Sequence, residues 1–357
     1  MKVLLLVPAP GNISPGQRFR FEHYIGLKNT SEVEFVIRPF FTKSAWGLLH
    51  VPGHLFQKVW GIFFGFLKRF IVLFTLYKYD CVYIYREVAP IGPPIFEWLI
   101  AKVFRKKIIY DFDDAIWVSI ASEANPKVAA IKCSWKVADI CRMSTIVTVG
   151  NQYLKDYAVN YCKDVRIIPT VVNTTDQHNR VKDQQTMPLV VGWTGTYTNF
   201  HNLEIITGVI NELKKKYDFT FLIIANKDPK FRDVAYVYKP WKVETEIEDL
   251  LQMHIGVMPL YHREMELGKC GFKAIQYMSL GIPAIVSPVG VNSKVVGDET
   301  SGYLADSAQE WYDKLEHLLK HTELRTQMGA VARERIVQNY SVDATAQLFF
   351  DLFKKVS

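Results

Sequence analysis

The sequence predicts an α/β protein built from two doubly wound parallel sheets in series. Three observations support this fold class. The chain has 357 residues, a length that favours about two domains over one. Short apolar runs rich in β-branched residues alternate with helix-like stretches in each half. Runs this apolar are typical of parallel strands that helices cover on both faces.

The predicted strands follow one another along both halves of the chain. In the first half they are Val3–Val7, Glu34–Ile37, Cys81–Tyr85, Lys107–Tyr110, Ile146–Val149 and Val165–Ile168. In the second half they are Leu189–Trp193, Phe219–Ala225, Val234–Tyr238, Ile255–Met258 and Pro283–Val286.

The sequence also predicts the domain boundaries. Residues 1–172 form the first domain, and residues 189–340 form the second. Between them, residues 173–188 are polar and aperiodic, as a linker would be. Residues 341–357 form a terminal helix. Its apolar stripe must pack on another surface, with the first domain as one candidate: Leu348, Phe349, Leu352 and Phe353.

Composition narrows the class of protein. Hydrophobic residues make up 49% of the chain and charged residues 22%, which excludes a largely disordered protein. The net charge of +7 fits an anionic substrate or a lipid surface and is too small to indicate nucleic acid. Five scattered cysteines without a CxxC pair argue against a disulfide framework or a zinc site. With no signal peptide at the start, these features predict a cytoplasmic protein.

Residues 46–79 differ from the rest of the chain. The segment has no acidic residue, four Lys or Arg and ten aromatic residues. Lys68 and Arg69 interrupt its apolar run, so a transmembrane helix is not predicted. One helical stripe carries most of the large side chains: Phe56, Trp60, Phe63, Leu67, Phe70 and Phe74. Two interpretations are open, a core helix whose aromatics face the sheet, or an interfacial helix at the inner face of a membrane.

The strongest chemical pattern lies in residues 258–287. A strand leads into a loop that ends at Gly268, and a helix is predicted from about Lys269 to Leu280. Gly268 and Gly271 let the backbone approach a ligand closely, and the free N–H groups of the first helical turn favour an anion. Lys269 and Lys273 add two cations on one helix face, which suits a diphosphate. Gln276 lies one turn further along, where its amide could meet ribose hydroxyls.

A second pattern follows the predicted strand at Leu189–Trp193. Thr194, Gly195 and Thr196 form a small-residue loop ahead of a helix that begins near Leu203. A strand, such a loop and a helix N-terminus form the arrangement that holds phosphate at the carboxyl edge of a parallel sheet. The alternative interpretation is a plain turn with a capping threonine.

Polar residues also follow three strands of the first domain. They are candidates for binding an acceptor, with arginines suited to a phosphate and carboxylates suited to orienting a hydroxyl or accepting its proton. The alternative is that the arginines are solvated and one aspartate caps a helix. The candidates are Gly16, Arg18, Arg20, Arg86, Glu87, Asp113 and Asp114.

The segment GKCGFKAIQYMSLGIPAIVS, residues 268–287, resembles the nucleotide-sugar site of the retaining GT-B glycosyltransferases of family GT4. The resemblance covers most of the chain, and the glycine turn into the next strand is its most specific part. The stretch from Val190 to Thr196 resembles the GWxGS loop of one branch. The family implies two Rossmann-like domains facing a cleft, a nucleoside-diphosphate sugar as donor, retained anomeric configuration, and no metal or other cofactor.

Two positions depart from that family. Its members carry two glutamates eight residues apart, the first touching the donor sugar and the second holding the ribose. Here Gly268 and Gln276 occupy those positions. Gln276 can still bind a ribose hydroxyl, whereas Gly268 has no side chain to touch a sugar. Glu264 or Glu266 in the preceding loop can take its place.

The sequence therefore predicts a glycosyltransferase. It would use a UDP- or GDP-linked sugar and a glycan or lipid-linked acceptor, in bacterial surface polysaccharide synthesis. Lys269 and Lys273 would stabilise the leaving diphosphate. Three alternatives are open: a metal-dependent enzyme using Asp111-Phe112-Asp113 as a DxD motif, a non-catalytic sugar-binding relative, and a dinucleotide-dependent oxidoreductase. The absence of a GxGxxG motif weighs against the last.

Overall fold

The computed structural model describes residues 1–27, 33–49, 51, 53–118 and 131–356, and the chain divides into two units. Unit 1 contains Met1–Pro169 and Ala346–Ser357, and unit 2 contains Thr170–Thr345. Residues 173–188 contain no helix or strand. They pack on unit 2, where His178 and Gln184 are buried.

Unit 1 has a six-stranded sheet, counted over the described residues, in the order β2-β1-β3-β4-β5-β6. All its strand pairings are parallel, as the unbroken apolar runs require. The strands are β1 (Lys2–Val7), β2 (Glu34–Pro39), β3 (Cys81–Tyr85), β4 (Lys107–Phe112), β5 (Ile146–Val149) and β6 (Val165–Ile167).

The helices of unit 1 connect these strands as parallel crossovers. The first, α1, runs through Pro15–Gln17, Arg18–Glu22 and His23–Ile25, with a π-type turn in its middle. The next are α2 (Lys43–Leu48), α3 (Leu55–Leu73) and α4 (Ile95–Trp98), which continues as a π-type turn over Leu99–Val103. A 3₁₀ turn at Leu76–Lys78 lies between α3 and β3. After α4 come α5 (Lys136–Met143) and α6 (Gln152–Ala158).

Unit 2 repeats the arrangement with a second parallel sheet of six described strands, in the order β12-β11-β10-β7-β8-β9. Its apolar core includes Trp193, Phe221 and Trp311, all fully buried. The strands are β7 (Val190–Gly195), β8 (Thr220–Ala225), β9 (Val237–Pro240), β10 (Ile255–Met258), β11 (Ala284–Val286) and β12 (Gly302–Leu304).

Helices follow most strands of unit 2, and three consecutive helices follow β12. Two 3₁₀ segments lie at Tyr197–Leu203 and Val243–Thr245. The α-helices are α7 (Glu204–Lys214), α8 (Glu246–Leu250), α9 (Glu264–Leu267), α10 (Phe272–Ser279), α11 (Asn292–Val296), α12 (Ala308–Lys320), α13 (Thr322–Tyr340) and α14 (Val342–Val356).

The terminal helix α14 returns to unit 1, to which residues from Ala346 onward belong. Phe349 stacks on Tyr24 with ring centroids 4.5 Å apart. Phe353 meets Phe35 edge to face at 5.1 Å. The apolar stripe of α14 therefore forms part of the core of unit 1, because these aromatic pairs remove it from water. Within the described residues, no helix has both the length and the apolar character that crossing a bilayer requires.

Each sheet has a switch point, a place where successive strands are added on opposite sides. In unit 1 it lies between β1 and β3, and in unit 2 it lies between β7 and β10. Loops leaving the carboxyl ends of two such strands separate and open a crevice, which is where open parallel sheets bind ligands. The topology therefore singles out one edge position in each unit.

Three local predictions differ from the structure. The strand predicted at Val234–Tyr238 is β9 at Val237–Pro240, and β12 was not predicted. The helix predicted from Lys269 begins at Phe272, because Gly271 has a positive φ of 67° that interrupts a right-handed helix before that point. The interpretation of α3 as a core helix with inward aromatics is also wrong, because the predicted aromatic stripe is exposed.

Candidate functional site

The carboxyl end of β7 is held against α10 by a buried tyrosine. The N–H of Thr194 donates a hydrogen bond to Oη of Tyr277, 2.9 Å away. Gly256 on β10 makes room for this ring, since a Cβ there would lie 2.3 Å from Tyr277 Cδ2. Burial raises the pKa of Tyr277, so the phenol stays protonated. This packing places α10 across the switch point of unit 2.

Lys273 lies one helical turn before Tyr277 and reaches the end of β7. Its Nζ lies 5.5 Å from the ring centroid of Trp193, and its Cε lies 2.9 Å from the position that a Cβ on Gly195 would take. Only a glycine at the end of β7 leaves this space for the lysine stem. The structure thus brings together two predicted donor residues that are 78 positions apart.

The other predicted residues of this segment surround the start of α10. Gly268 ends α9, and Gly271 caps α10 in the left-handed conformation. Lys269 is half-buried in the turn between the two helices, where its backbone N–H donates to the carbonyl of Glu266. Lys269 therefore precedes the helix and is not on its face.

Glu266 is buried at the end of α9 and is paired across the switch point. Its Oε1 lies 3.2 Å from Nε2 of His201, which belongs to the segment after β7. Its Oε2 is buried and has no hydrogen-bond partner within the described residues. Glu264 is exposed instead. Of the two glutamates predicted to replace Gly268, Glu266 is the one that turns inward.

Three amides complete the polar lining. Gln276 Nε2, Asn202 Nδ2 and Asn292 Oδ1 are buried and lack hydrogen-bond partners in the part of the chain that the structure describes. An unpaired buried polar atom costs roughly 1–3 kcal/mol. Asn292 Oδ1 lies 3.5 Å from the position of a Cβ on Gly271, beside the start of α10. Buried unpaired atoms of this kind are donors and acceptors that a polar ligand would satisfy.

Thr196 is exposed just beyond β7. Its hydroxyl accepts a hydrogen bond from Asn199 Nδ2 and lies 2.8 Å from the hydroxyl of Thr198. The segment from Tyr197 to Leu203 is a 3₁₀ helix that leads into α7, which matches the predicted helix start near Leu203. Thr196 thus precedes the 3₁₀ helix without a side-chain capping hydrogen bond to its backbone, and its side chain remains accessible.

The switch point of unit 1 carries a compact charged cluster. Oη of Tyr85 donates to Asp113 Oδ1 at 2.8 Å, and Nε of Arg86 donates to the same oxygen at 2.9 Å. Nη2 of Arg86 also binds Asp114 Oδ2 at 2.7 Å. Arg86 has a positive φ of 61°, a backbone conformation that costs a non-glycine residue energy. The structure therefore joins three of the predicted acceptor residues.

The environment of Asp113 keeps its carboxylate charged. Burial alone would raise its pKa. The pKa is nevertheless below its ordinary value, because of the positive charges of Arg86 and Arg20 and the hydrogen bonds from Arg86 and Tyr85. A carboxylate with a lowered pKa is a weaker base. The cluster is better suited to orienting a hydroxyl than to removing its proton.

Gly16 opens α1 directly above this cluster. A Cβ at Gly16 would lie 2.3 Å from Tyr85 Oη and 3.4 Å from Asp113 Oδ2. No larger residue fits there unless Tyr85 moves. Glu87 follows Arg86 and pairs with Lys136 at 2.8 Å. Glu87 and Lys136 line a pocket together with Arg86, Ile116, Lys132, Ser134 and Val137.

Arg20 was predicted to bind the acceptor, but its guanidinium is buried and paired within unit 1. It is 1% exposed and donates Nε to Oδ2 of Asp111 at 3.2 Å, and its other nitrogens bind Asp111 Oδ1 and the carbonyl of Ile168. Thr148 also donates to Asp111. The three guanidinium nitrogens of Arg20 are thus bonded to Asp111 and Ile168, which leaves them engaged within the protein, and Arg18 is 5% exposed. Asp111, equally buried, does not present the first carboxylate of a DxD metal site.

Sequence reasoning did not assign a role to His201 or Tyr277. The contacts that reveal them join segments 65 and 83 residues apart. The signal available for His201 was its position just after the Thr194–Thr196 loop. For Tyr277, the signal was its place next to Gln276, but a single aromatic at a helical position is usually a core residue.

Comparison with known proteins places these residues in a family context. Residues 188–321 match the family model described as glycosyl transferases group 1. A trehalose synthase from Pyrococcus horikoshii is 32% identical over 87 residues, which are 24% of this chain and 21% of that protein. The chain therefore matches about a fifth of that relative's length. The matched range contains the unit 2 residues of the candidate site, from Trp193 to Asn292.

Solved structures match the whole chain. Sucrose-phosphate synthase from Thermosynechococcus elongatus aligns with a TM-score of 0.67 at 16% identity, over 99% of this chain and 98% of that one. HepE from Anabaena, solved with UDP and glucose, aligns with a TM-score of 0.67 at 15% identity, over 99% of this chain and 100% of that one. The chain has the GT-B fold. The predicted fold class is confirmed, and at these identities the GT-B likeness concerns the fold alone.

Proposed function

We propose that this GT-B protein transfers a sugar from a nucleoside-diphosphate sugar to an acceptor hydroxyl. One observation carries the proposal: Lys273 lies beside Gly195 at the switch point of unit 2. A cation there, beside a helix N-terminus and a close backbone approach, suits the diphosphate of the donor. The match of residues 188–321 to glycosyl transferases group 1 supports the same assignment.

In this proposal the donor lies along the carboxyl edge of β7 and β10. Lys273 and Lys269 contact the diphosphate, with the backbone at Thr194–Thr196 and Gly271 close to its oxygens. As the glycosidic bond breaks, negative charge grows on the leaving diphosphate, and the two ammonium groups stabilise it. Gln276, whose Nε2 lacks a partner within the described residues, donates to a ribose hydroxyl.

Glu266 takes the sugar-contacting role that Gly268 cannot perform. Its unpartnered Oε2 accepts a hydrogen bond from a donor-sugar hydroxyl, while His201 holds Oε1 and fixes the orientation of the carboxylate. A buried carboxylate with one oxygen already bound offers the other in a defined direction. This assignment makes the donor sugar the ligand that completes the hydrogen bonding of Glu266.

Acceptor binding is assigned to unit 1. Asp113 and Asp114, held by Arg86, orient the acceptor hydroxyl, and Gly16 leaves the space above them. Glu87 follows Arg86 directly, and Arg18 lies two residues after Gly16 on α1. Arg20 acts through Asp111 as a positioning residue, because it fixes β4 at the strand end from which Asp113 follows.

The resemblance to family GT4, including its GWxGS-like loop, adds further properties to the proposed reaction. It specifies retention of anomeric configuration, no metal requirement, and a UDP- or GDP-linked sugar. The HepE neighbour was solved with UDP and glucose, which supports UDP as the first nucleotide to test. The proposed setting is bacterial surface polysaccharide synthesis at the inner face of the plasma membrane, with a glycan or lipid-linked acceptor.

A turnover assay tests the function. Nucleoside diphosphate release from UDP-glucose and from GDP-mannose is measured with water as the acceptor of the sugar, for the wild type, Lys273→Ala and the exposed control Lys320→Ala, with circular dichroism to confirm folding. We expect at least a tenfold loss of turnover for Lys273→Ala alone, about 1.4 kcal/mol of transition-state stabilisation. Unchanged turnover in Lys273→Ala contradicts the leaving-group role.

The same assay separates the open alternatives. A metal-dependent enzyme loses most of its turnover when EDTA is added, and a non-catalytic relative binds nucleotide without releasing product. The proposal expects turnover that persists in EDTA. The buried Arg20–Asp111 pair supports this expectation, because it removes one carboxylate from the DxD motif.

A further inference from the structure

Helix α3 presents a continuous apolar face to solvent. We call this face the aromatic surface, and its residues are between 42% and 76% exposed. Single exposed apolar residues are ordinary, but a contiguous group of this size marks an interaction site. The aromatic surface consists of Phe56, Val59, Trp60, Phe63, Phe64, Leu67, Phe70, Ile71 and Phe74.

The opposite face of α3 is fully packed against unit 1. Gly65 lies against Phe40, since a Cβ there would come within 2.2 Å of that ring. Arg69 is buried and donates to three backbone carbonyls, those of Val7, Arg38 and Val88, at 2.7–2.8 Å. These contacts anchor α3 to unit 1 through one face. The aromatic surface is the other face, which points to solvent.

Helix α4 extends the apolar area. Phe66 of α3 contacts Phe96 of α4 with ring centroids 5.9 Å apart. Beyond this contact, α4 and the turn that follows it expose four more large apolar side chains, between 38% and 56% exposed: Ile95, Trp98, Val103 and Phe104. Two neighbouring helices thus contribute to one apolar area.

The exposed charged residues of the described segments 53–79 and 95–105 are all positive, and Asp80, the next acidic residue in the sequence, accepts the backbone N–H of Lys2. Lys78 follows α3 and is exposed, and Lys102 and Arg105 are exposed in and just after the turn that continues α4. Lys58, inside the first turns of α3, is half-buried and donates to the carbonyl of Val51. Residues 46–79 contain no acidic residue. The one acidic residue between 95 and 105 is Glu97, which is 2% exposed and accepts the N–H of Val88. The area is therefore apolar in the middle and positive at its border.

We propose that the aromatic surface docks on an anionic lipid bilayer, with α3 lying in the plane of the interface. The helix has 19 residues, so it is about 28 Å long and covers several lipid headgroups. Tryptophan and phenylalanine enter the boundary between headgroups and acyl chains, to a depth of roughly 5–10 Å. Each bordering cation adds about 1 kcal/mol of attraction to anionic lipids.

A second copy of the chain fits this area less well. A two-fold dimer would place the same surface on both sides, so each positive border would face another positive border. Like charges at an interface oppose association, whereas anionic headgroups neutralise them. The sign of the border therefore favours the bilayer.

The location of α3 relates the membrane to the acceptor site. Arg69 binds the carbonyl of Val7, the last residue of β1, and that of Val88, three residues beyond β3. These strands flank the switch point of unit 1, where Tyr85, Arg86 and Asp113 meet. If unit 1 binds the acceptor, as the proposed function states, the acceptor is an amphiphile anchored in that bilayer. Docking itself does not depend on the proposed function.

Vesicle flotation tests the docking. The full chain is mixed with vesicles of phosphatidylcholine and phosphatidylglycerol at 7:3, or of phosphatidylcholine alone, and the floated fraction is measured. The triple variant Trp60→Ser, Phe63→Ser, Phe70→Ser should lose at least tenfold in partitioning to anionic vesicles. The matched control Val159→Ser, Val237→Ser, Leu348→Ser removes three similarly exposed apolar residues elsewhere and should float like the wild type.

A charge variant tests the border. Lys78→Glu, Lys102→Glu and Arg105→Glu together should abolish the preference for anionic vesicles. Failure of the wild type to float, or equal flotation of both serine variants, overturns the proposal. So does a solution dimer that the Trp60, Phe63 and Phe70 substitutions dissociate without any vesicle binding. Binding of UDP in water, measured on the same variants, reports separately on the proposed function.

Discussion

At the residue scale, the donor-side chemistry depends on missing side chains as much as on present ones. Gly195 leaves the space through which Lys273 reaches the end of β7, and Gly256 leaves the space for Tyr277. The lysine and the tyrosine occupy successive turns of α10. A single added methyl group at either glycine would therefore displace a group that the proposed site needs.

This dependence predicts the effect of Gly195→Ala. The new Cβ would lie 2.5 Å from Trp193 and 2.9 Å from Lys273 Cε, so the lysine must move. We expect the affinity for nucleoside diphosphate to fall at least tenfold, about 1.4 kcal/mol, by isothermal titration calorimetry. The control is Gly208→Ala in α7, where a Cβ meets nothing within 4 Å. Equal affinity in the two variants would show that the space at Gly195 is not needed.

At the element scale, α3 shows what periodicity can and cannot establish. The repeat of Phe56, Trp60 and Phe63 predicted a helix, and the helix forms. It did not determine which face packs, because the opposite face, with Phe66 and Val72, is also apolar. Burial of Arg69 among backbone carbonyls decides the orientation, and that contact requires the folded sheet.

The same element yields a prediction for stability. Arg69 is buried without a salt bridge among the described residues, and burial lowers its pKa to about 9. Arg69→Met removes three hydrogen bonds, at about 1 kcal/mol each, so we expect a loss of about 3 kcal/mol in the free energy of unfolding, although the Val7 carbonyl keeps its bond from the Phe40 N–H. The neighbouring Lys68 donates to one carbonyl only, and Lys68→Met should cost about 1 kcal/mol or less. Denaturant unfolding of both variants measures this, and equal losses would contradict an anchoring role for Arg69.

The element scale also shows how much of the candidate site the sequence predicts. The strands and the glycine–lysine segment follow from hydrophobic runs and local backbone chemistry, which are properties of short segments. The start of α10 depended on the backbone angle of Gly271, and the Glu266–His201 pair depended on the packing of β10 beside β7. Such contacts arise from the register of the sheet, which no short segment specifies.

At the scale of the whole molecule, one histidine in each unit is kept neutral by the fold. Burial, with a contribution from Arg18, lowers the pKa of His23 in unit 1 to about 4. Burial, with Lys182, lowers the pKa of His254 in unit 2 to about 4. His254 Nδ1 accepts the N–H of Val190, at the start of β7, and protonation would end that hydrogen bond.

These shifts predict how stability depends on pH. In the unfolded chain a histidine is protonated near pH 6.5. In the folded protein His23 and His254 are protonated only near pH 4. Stability is therefore complete above about pH 6.5 and falls as the pH drops toward 4. Unfolding free energies at pH 7.5 and 5.0 should show this loss, and His254→Asn should reduce it. An unchanged pH dependence in His254→Asn would exclude His254 as a source.

The central claim is that a nucleoside diphosphate binds unit 2 against Lys273. The most direct measurement is calorimetric titration of UDP, GDP and ADP into the wild type, Lys273→Ala and Lys320→Ala at one salt concentration. We predict binding of one of these nucleotides to the wild type and to Lys320→Ala, with at least tenfold weaker binding to Lys273→Ala. Equal affinity in all three proteins, or no binding of any of the three nucleotides, would contradict the claim.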